Sequence, residues 1–432
     1  MALDREELNR RRREREAQRK KQQEQQRKLL IRLAVAAVVL VVCGVAIFLI
    51  ARSGGGTGEN TQASTQAPVQ TQAATEPQSR REKEPTTIHI RAAGDLNVTD
   101  RVITAGATTS GYNFTACFMD VASLLADADL TMLNFEGNLC GGVYGSESGS
   151  APQQLMEALR AAGVDIVQMA NSCSINNGMI GLSTTLTNIR AAGIEPVGAF
   201  SSAAEFNSTK GYTICEVQGI KVAVVAFTKG MDGRALPGGS EDCVNLLYTD
   251  YSTTYQKVDT DGIKRILKNV AAENPDITIA MLHWGSENND TISKTQTSIV
   301  SLMQAQGVDV ILGTHSHRVQ EITYDELTGN LVAYSLGDFF GDGKMSGSNY
   351  SIILDLEITK DNETGVTRVT DYSYTPIYTL QEDECDGQRR VVRIQEAMAA
   401  YEAEYLGRIT ESAYENMEYS LKRIESRISG KG

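Results

Sequence analysis

The sequence predicts an α/β fold: a layered α/β sandwich with mixed sheets, preceded by one transmembrane helix and a disordered stalk. Apolar runs suited to buried strands alternate with helical patterns, which is typical of β–α units packed on both faces of a sheet. Later in the chain, strands joined by short polar turns indicate antiparallel pairs beside that parallel core. A long uncharged apolar segment near the N-terminus indicates the membrane helix.

The N-terminal region is predicted to be a basic cytoplasmic tail followed by a membrane span. Residues 1–32 carry twelve Lys and Arg against six Asp and Glu, although the whole chain has a formal charge of −13. Residues 33–51 are nineteen apolar residues without a charge. At about 1.5 Å per residue such a helix nearly spans a hydrocarbon core of about 30 Å. The more basic flank of a membrane helix usually stays in the cytoplasm. The chain is therefore expected to cross the cell membrane once, with the residues after the span outside. A cleaved signal peptide is the alternative, but its charged and apolar regions would both exceed their usual lengths.

Beyond the membrane segment the sequence predicts a linker, one large domain and a C-terminal extension. Residues 52–85 are rich in Gly, Ser, Thr and Gln without apolar periodicity, which is typical of a flexible linker. An extracytoplasmic domain is expected over 86–380, followed over 381–432 by an extension that is helical from about residue 388.

The elements of the domain follow from the apolar periodicity. The strands predicted for the parallel core are Leu130–Leu133, Val164–Ala170, Lys221–Phe227, Asp276–Leu282 and Val308–Leu312. The helices predicted with them are Ala116–Leu125, Pro152–Ala162, Leu182–Ala192, Asp261–Ala272 and Ile292–Gln306. The antiparallel strands predicted are Tyr212–Val217, Val319–Tyr324, Leu331–Leu336, Ser351–Thr359 and Val366–Tyr374.

Charge and cysteine content bear on partners and redox state. An acidic domain argues against nucleic acid as its partner, since nucleic-acid-binding domains are usually basic. Six cysteines lie outside the apolar segment, which permits up to three disulfides in an exported domain. Buried free thiols are the equally weighted alternative.

Polar side chains follow five predicted strands, the first of which is the alternating run Thr87–Ala92 at the start of the domain. The loops read Gly-Asp-Leu-Asn at 94–97, Asn-Phe-Glu-Gly at 134–137, Asn-Ser-Cys at 171–173, His-Trp-Gly-Ser-Glu at 283–287 and Gly-Thr-His-Ser-His at 313–317. Loops at the carboxyl ends of strands converge at one edge of an α/β fold. Asp, Glu, Asn and His supply ligands suited to Zn, Mn or Fe, and to a two-metal site. Each fragment alone could be a turn or a helix cap, but the joint pattern favours a metal site.

Taken in order, these motifs resemble those of the CapA family, named for poly-γ-glutamate capsule biosynthesis in bacteria and similar to the calcineurin-like metallophosphoesterases. The resemblance runs from about residue 88 to residue 350, with H-W-G-x-E intact at 283–287 and G-x-H-x-H at 313–317. The family's Y-S-L-G-N-F stands at 334–339 with Asp338 in place of Asn. The resemblance implies a metallophosphoesterase-like sandwich that binds divalent metal ions, two of them (Mn, Zn or Fe). The ligands that it implies are Asp95, Glu136, Asn171, His283, His315 and His317.

One loop departs from the family pattern. Where the family has A-N-N-H-x-x-D-x-G, residues 170–178 read Ala-Asn-Ser-Cys-Ser-Ile-Asn-Asn-Gly, so Cys173 replaces His and Asn176 replaces Asp. In the metallophosphoesterases that His is the usual candidate for protonating the leaving group, and positioned proton transfer contributes roughly 10²–10⁴-fold in rate. A thiol is a weaker donor and holds no positive charge. Cys173, His283 and Glu287 are the candidate catalytic residues, and metal binding is expected even where hydrolysis is slow.

Together with the predicted membrane span, the resemblance implies a membrane-anchored protein of capsule synthesis or export with a metal-dependent phosphoesterase or related hydrolase site. The alternative is a non-catalytic accessory that binds the anionic extracellular polymer within the synthesis and export machinery, and Cys173 favours it. A third possibility is a peptidoglycan or γ-glutamyl amide hydrolase using the same metals. The sequence contains no nucleophile elbow, P-loop or dinucleotide fingerprint, so other common chemistries have no support.

Overall fold

Two mixed β-sheets form the centre of the fold. The computed structural model describes residues 84–403 and 409–430. The predicted basic tail (1–32), membrane span (33–51) and nearly all of the predicted linker (52–85) lie outside the described residues. Within the described part of the chain, every helix is too short or too polar to cross a bilayer.

The described elements alternate between strand and helix over most of the chain. The strands are β1 (Thr86–Asn97), β2 (Ala107–Thr108), β3 (Gly111–Tyr112), β4 (Leu130–Glu136), β5 (Ile166–Gln168), β6 (Glu195–Val197), β7 (Thr213–Val217), β8 (Ile220–Thr228), β9 (Ile277–His283), β10 (Val310–Thr314), β11 (Ile322–Asp325), β12 (Asn330–Ala333), β13 (Asp338–Phe340), β14 (Tyr350–Lys360), β15 (Thr367–Leu380) and β16 (Arg390–Arg393). The helices are α1 (Asp100–Ala105), α2 (Thr115–Ala126), α3 (Gln153–Ala161), α4 (Gly178–Ala191), α5 (Ala203–Thr209), α6 (Thr260–Ala272), α7 (Lys294–Gln304), α8 (Ile394–Glu402) and α9 (Glu411–Ile428).

Each sheet has a parallel core with antiparallel strands at its edges. In the first sheet the order is β16-β15-β14-β1-β4-β5-β6, with β13 pairing parallel to β1. Strands β1, β4, β5 and β6 are parallel, and β14, β15 and β16 are antiparallel to their neighbours. The second sheet has the order β11-β12-β10-β9-β8-β7, parallel from β12 to β8 and antiparallel at β11 and β7. The predicted α/β fold with mixed sheets is confirmed.

The second sheet is buried on both faces. Along β8, Val222, Val224 and Ala226 belong to the hydrophobic cluster that also contains the core of the first sheet. The alternate residues Val225 and Phe227 belong to a second cluster with apolar residues of α6 and α7. Side chains alternate between faces along a strand, so the first cluster lies between the sheets and the second lies beneath these helices.

Differences from the predicted elements occur where tertiary pairing decides the structure. The segment predicted to be helical from residue 388 begins instead with β16, because its Arg-Val-Val-Arg run pairs with the end of β15. The short strands β6 and β13 have no long apolar run of their own, and they form because a parallel neighbour supplies their hydrogen bonds. The six cysteines among the described residues are free thiols, which matches the second of the two alternatives weighed above.

Candidate metal centre

Parallel strands of both sheets end at one place and carry the predicted polar residues there. In the first sheet, Asp95 pairs in register with Asn134 of β4, two residues before Glu136. In the second, His283 ends β9 and pairs with Thr314, the residue before His315. The backbone N–H of His315 donates to Asp95 Oδ2 at 3.0 Å, so the strand ends of the two sheets are in direct contact.

Two motif glycines permit this close approach. A Cβ on Gly94 would lie 1.8 Å from the carbonyl oxygen of Gly337, and that oxygen accepts the N–H of Asp95 at 2.9 Å. A Cβ on Gly313 would lie 1.9 Å from the carbonyl oxygen of Tyr334, which also accepts the indole N–H of Trp284 at 3.0 Å. Both positions require glycine because another backbone segment occupies the space of a side chain.

The first ligand group consists of Asp95, Glu136 and His283, all buried. Each offers one ligand atom, and these atoms lie within 4.8 Å of one another. Asn134 stands between them, since its side-chain nitrogen donates to Asp95 Oδ1 at 2.7 Å and to Glu136 Oε1 at 3.0 Å. Ser172 Oγ donates to the other carboxylate oxygen of Glu136 at 3.4 Å. The group can hold one cation with two oxygen ligands and one nitrogen ligand.

Two further groups share His317. One comprises Glu287, His315 and His317, and the other comprises Asp95, His317 and Asp338. His317 Nδ1 lies 2.8 Å from Asp338 Oδ1 and 3.6 Å from Asp95 Oδ2. Asp338 was not among the ligands predicted from the sequence, although it is the Asp of the Tyr-Ser-Leu-Gly-Asp-Phe motif. Its place at the start of β13, beside β1, is what brings it to the centre.

The loop that carries the two histidines has an unusual backbone. His315 has φ 87° and His317 has φ 56°, both in the left-handed region that residues other than glycine rarely adopt. Such conformations cost on the order of 1–3 kcal/mol each and persist where the surrounding structure enforces them, often at functional sites. The strain is consistent with a loop shaped to present imidazoles rather than to minimise its own energy.

Burial raises the proton affinity of the two acids in the first group. Burial raises the pKa of Asp95 to about 6, against the lowering effect of nearby His317. Burial, then the neighbouring charge of Asp95, raises the pKa of Glu136 well above its ordinary value. Two carboxyl groups in one buried space therefore favour a bound proton or a bound cation to balance their charge.

The three histidines differ in protonation. Burial, reinforced by neighbouring cationic groups, lowers the pKa of His283 and of His315 well below the ordinary value, so both imidazoles are neutral. Burial opposes the charged form of His317 as well, but Asp338 first, then Glu136 and Asp95, outweigh it and raise its pKa to about 11.

These residues fit a divalent cation. His283 Nε2 and His315 Nδ1 are buried without a hydrogen-bond partner among the described residues. A buried polar atom without a partner is uncommon, and a neutral imidazole nitrogen is a standard ligand for Zn, Mn or Fe. The contact of His317 Nδ1 with Asp338 is the carboxylate–histidine arrangement that orients a ligating ring, and it leaves Nε2 as the nitrogen available to a cation.

Asn171 is buried in the same region, but its amide is used within the protein. Its nitrogen donates to Asn134 Oδ1 at 3.0 Å and to the Phe135 carbonyl at 2.7 Å, and its oxygen accepts the N–H of Cys173 at 3.0 Å. In this arrangement Asn171 orients Asn134 and the turn at Cys173. Its oxygen accepts this one backbone N–H, and its assignment as a metal ligand stays a prediction.

The thiol of Cys173 lies in the loop next to Glu136. Burial raises the pKa of this thiol to about 12, and the charge of Glu136 adds to the effect. Its sulfur contacts Ser172 Oγ at 3.8 Å, and within the described residues no metal-ligand group includes it. At neutral pH the thiol is therefore uncharged and protonated, which makes it a poor nucleophile and a weak proton donor.

Lys229 is a cationic residue of the centre that the sequence analysis missed. It directly follows β8, the strand next to β9, and its position two residues after the predicted strand Lys221–Phe227 was the available signal. Its Nζ donates to the Gly285 carbonyl at 2.8 Å and lies 3.3 Å from His315 Nε2. The chain thus places one positive charge next to the histidines, where an anionic ligand of the centre would be stabilised.

The segment that carries the strand-end residues matches a known family. The profile of the family described as bacterial capsule synthesis protein PGA_cap matches residues 89–342. The capsule biosynthesis protein CapA of Bacillus anthracis is 25% identical over 225 residues, which cover 51% of this chain and 50% of that protein. The PGA biosynthesis protein CapA of Bacillus subtilis (strain 168) is 23% identical over 218 residues, which cover 50% of this chain and 53% of that protein. The match thus spans about half the length of each curated relative.

Two solved structures match about two thirds of the chain. The calcineurin-like phosphoesterase YfkN from Bacillus subtilis matches 68% of this chain and 91% of its own, with 17% identity and a TM-score of 0.40. A phosphatase from Mycoplasma pneumoniae matches 68% of this chain and 95% of its own, with 15% identity and a TM-score of 0.42.

Proposed function

The chain belongs to the bacterial capsule synthesis (PGA_cap) family, and from this premise we propose that it is a membrane-anchored protein of poly-γ-glutamate-type capsule synthesis or export with a metal-dependent hydrolase centre. The anchor is the uncharged segment 33–51, and the basic residues before it favour a cytoplasmic N-terminus and an extracytoplasmic domain. The expected partners are the cell membrane and the anionic polymer or its synthesis machinery, and no nucleic acid.

The convergence of the strand-end residues is the observation that carries the proposal. Asp95, Glu136 and His283 lie within ligand distance of one another although they are far apart in the chain, and His317 links the remaining acids to them. Neutral imidazoles with buried, unpartnered nitrogens stand beside a carboxyl group, Glu136, whose pKa is raised by burial and by the charge of Asp95. A purely structural cluster would satisfy these atoms internally.

Asp95, Glu136 and His283 would hold one cation, and Glu287, His315 and His317 a second. Bound divalent cations would activate a water molecule and neutralise negative charge on an ester or phosphate. Asp338 keeps the His317 ring in a fixed orientation and holds the proton on Nδ1. Lys229 would contact an anionic substrate group beside His315. The contacts of His317 with Asp338 and of Lys229 with His315 support the last two of these roles.

A non-catalytic accessory that binds the polymer is the second candidate, and Cys173 is the observation that favours it. The thiol has a pKa of about 12, so it supplies neither a positive charge nor an effective general acid at neutral pH. Metal ions held by the acids and histidines would then bind carboxylate groups of the polymer without cleaving it.

Hydrolysis measured with the full-length chain in detergent separates the candidates. We expect a chromogenic phosphodiester to be cleaved in the presence of Mn²⁺, with loss of activity in EDTA and in His283→Ala. The matched control is His89→Ala, since His89 lies on β1 but pairs with Asp355 at 2.9 Å, away from the ligand groups. A γ-linked glutamate oligomer is tested in parallel, and the release of new amino groups from it would indicate an amide hydrolase instead. Binding of the oligomer without cleavage of either compound contradicts the hydrolase and supports the accessory.

The role of Cys173 can be tested in the same assay. Because its thiol is neutral, Cys173→Ala should leave the rate within about twofold, whereas Cys173→His should raise it by roughly 10²-fold if a proton donor is missing. Loss of activity in Cys173→Ala would show that the thiol itself takes part, contrary to the proposal.

A further inference from the structure

Three arginines surround one carboxylate on the outer side of the metal-centre loops. Asp290 accepts from Arg427 Nη2 at 2.7 Å, and it lies 3.7 Å from Arg423 Nη2 and 3.6 Å from Arg318 Nη1. Arg423 and Arg427 lie one turn apart near the end of α9, whereas Arg318 directly follows His317. We call Arg318, Arg423 and Arg427 the arginine cluster.

The arginine cluster has more positive charge than its surroundings balance. One carboxylate faces three guanidinium groups, and Glu321, whose carboxyl group lies beside Gly430, makes no ion pair with them within the described residues. Even with Glu321 counted, the local charge is positive, although the chain as a whole carries −13. A partly buried excess of charge is costly unless an anion offsets it.

Several nitrogens of the arginine cluster lack partners. The side chain of Arg427 is 4% exposed, and its Nε and Nη1 are buried without a hydrogen-bond partner among the described residues. Arg318, at 18% exposure, likewise has a buried Nε without a partner. The ring of Tyr350 lies 5.7 Å from the Arg427 guanidinium and accounts for part of its stabilisation, but it offers no acceptor oxygen in that contact. Ionic contacts that only fasten α9 to the loop would not require these free donors.

The arginine cluster is open to solvent on one side. Asp290 is 41% exposed and Arg423 is 36% exposed, while Arg427 forms the buried floor. Guanidinium groups bind carboxylate and phosphate oxygens in a planar, bidentate manner, and arginine clusters recognise such groups in other proteins. Asp290 thus supplies, from within the protein, the carboxylate contacts that an external anion could make with the same arginines.

The arginine cluster adjoins the candidate metal centre through two loops. Asp290 comes three residues after Glu287, and Arg318 one residue after His317. The loops are joined by Asn288 N–H donating to the Ser316 carbonyl at 2.8 Å, and by Gln320 Nε2 donating to the Asn289 carbonyl at 2.8 Å. A ligand with several anionic groups could therefore contact the metals with one group and the arginine cluster with another.

We infer that the arginine cluster is a second anion-binding subsite, which takes a carboxylate or phosphate group of the same polyanion that the metal centre binds, with Asp290 occupying the subsite in the free protein. The inference rests on the proposed function for the identity of the polyanion. It explains how an acidic domain binds an acidic polymer, since the positive charge is concentrated where the polymer passes.

Binding to the metal-free protein tests the subsite independently of hydrolysis. The full-length chain is kept in EDTA, and a fluorescent γ-linked glutamate oligomer is titrated at low ionic strength, with inorganic phosphate and polyphosphate as competitors. Arg318→Gln and Arg423→Gln should each weaken binding about tenfold, as expected for loss of a charge-assisted hydrogen bond. Asp290→Asn should strengthen binding several-fold because it removes the internal competitor. If polyphosphate competes better than inorganic phosphate at the same concentration of phosphate groups, the subsite is assigned to phosphate polymers.

The matched control is Lys422→Gln, which removes one positive charge from the same helix. Lys422 is 70% exposed and pairs with Glu418 at 3.2 Å, so the variant should bind within about twofold of the parent chain. Thermal melting of each variant shows whether it is folded. Any of three results overturns the inference. The oligomer does not bind, the arginine variants bind it as well as Lys422→Gln does, or a folded Asp290→Asn binds it more weakly than the parent chain. If the arginine variants still hydrolyse substrate, the proposed hydrolase function stands. If binding depends on the arginines but no hydrolysis is found, the hydrolase proposal is wrong and the subsite proposal stands.

Discussion

His317 and Asp338 show how a pair of side chains determines what the centre can hold. The 2.8 Å contact fixes the ring and keeps a proton on Nδ1, while Asp95 lies 3.6 Å from the same nitrogen. Asn171 works in a similar indirect way, because it orients Asn134 between the first group of ligands. The strand-end motifs predicted candidate ligands by residue type, but these orienting contacts depend on geometry that motif spacing does not contain.

The Asp338→Asn variant tests the orienting role. An amide retains the size of the carboxyl group but loses the charge that holds His317, so metal affinity should fall by about 10–100-fold. The measurement is a competition titration with a chromogenic chelator. Asp342→Asn is the control, since Asp342 is close in sequence but pairs with Lys344 at 3.2 Å. Equal affinities of the two variants would contradict the role given to Asp338.

Metal affinity should depend steeply on pH. In the metal-free protein His317 has a pKa of about 11, so its imidazolium must lose a proton before Nε2 can bind a cation. One proton is then released for each His317 that binds, and affinity should rise about tenfold per pH unit between about pH 7 and 9. Calorimetry in buffers of different ionisation enthalpy measures the released protons. Binding without proton release in this range would mean that His317 is not a ligand.

At the scale of strands and loops, the centre depends on how closely β1 and β10 approach other segments. The register of β1 against β4 shifts between Ala92 and Asp95, an irregularity of the kind that bends a strand. The apolar runs predicted β4, β8, β9 and β10 within a few residues, because each is buried on both faces. The short strands escaped prediction because their pairing partners, and not their own composition, make them strands.

Gly94→Ala should disturb both the fold and the centre. The added methyl group would meet the Gly337 carbonyl oxygen at 1.8 Å, so either the strand end shifts or the hydrogen bond to Asp95 breaks. We expect a loss of about 1–3 kcal/mol in the free energy of unfolding, with weakened metal binding. Denaturant titration and metal titration measure the two effects. Gly238→Ala is the control, because nothing lies within 4 Å of its added methyl group, and it should change stability by less than about 0.5 kcal/mol. A Gly94→Ala chain as stable as the control would contradict the close approach.

At the scale of the whole molecule, two sheets bring their strand ends to one place, and this determines which residues can meet. The order of strand-end motifs was enough to predict that Asp95, Glu136 and the histidines of the second sheet would gather, and the N–H of His315 on Asp95 shows the contact between sheets. The same reasoning could not find Asp338, Lys229 or the arginine cluster. Their positions depend on β13, on the loop after β8 and on the docking of α9, none of which has a periodic signal that specifies its neighbour.

The most direct test of the account is the metal content of the full-length chain. The protein is equilibrated with Mn²⁺ or Zn²⁺, freed of unbound ions, and measured by elemental analysis beside the His315→Ala/His317→Ala double variant and the His89→Ala control. We expect two bound cations per chain in the parent protein and in His89→Ala, and at most one in the double variant. An unchanged metal content in the double variant, or no bound metal in the parent protein, would contradict the convergence of these residues on a metal centre.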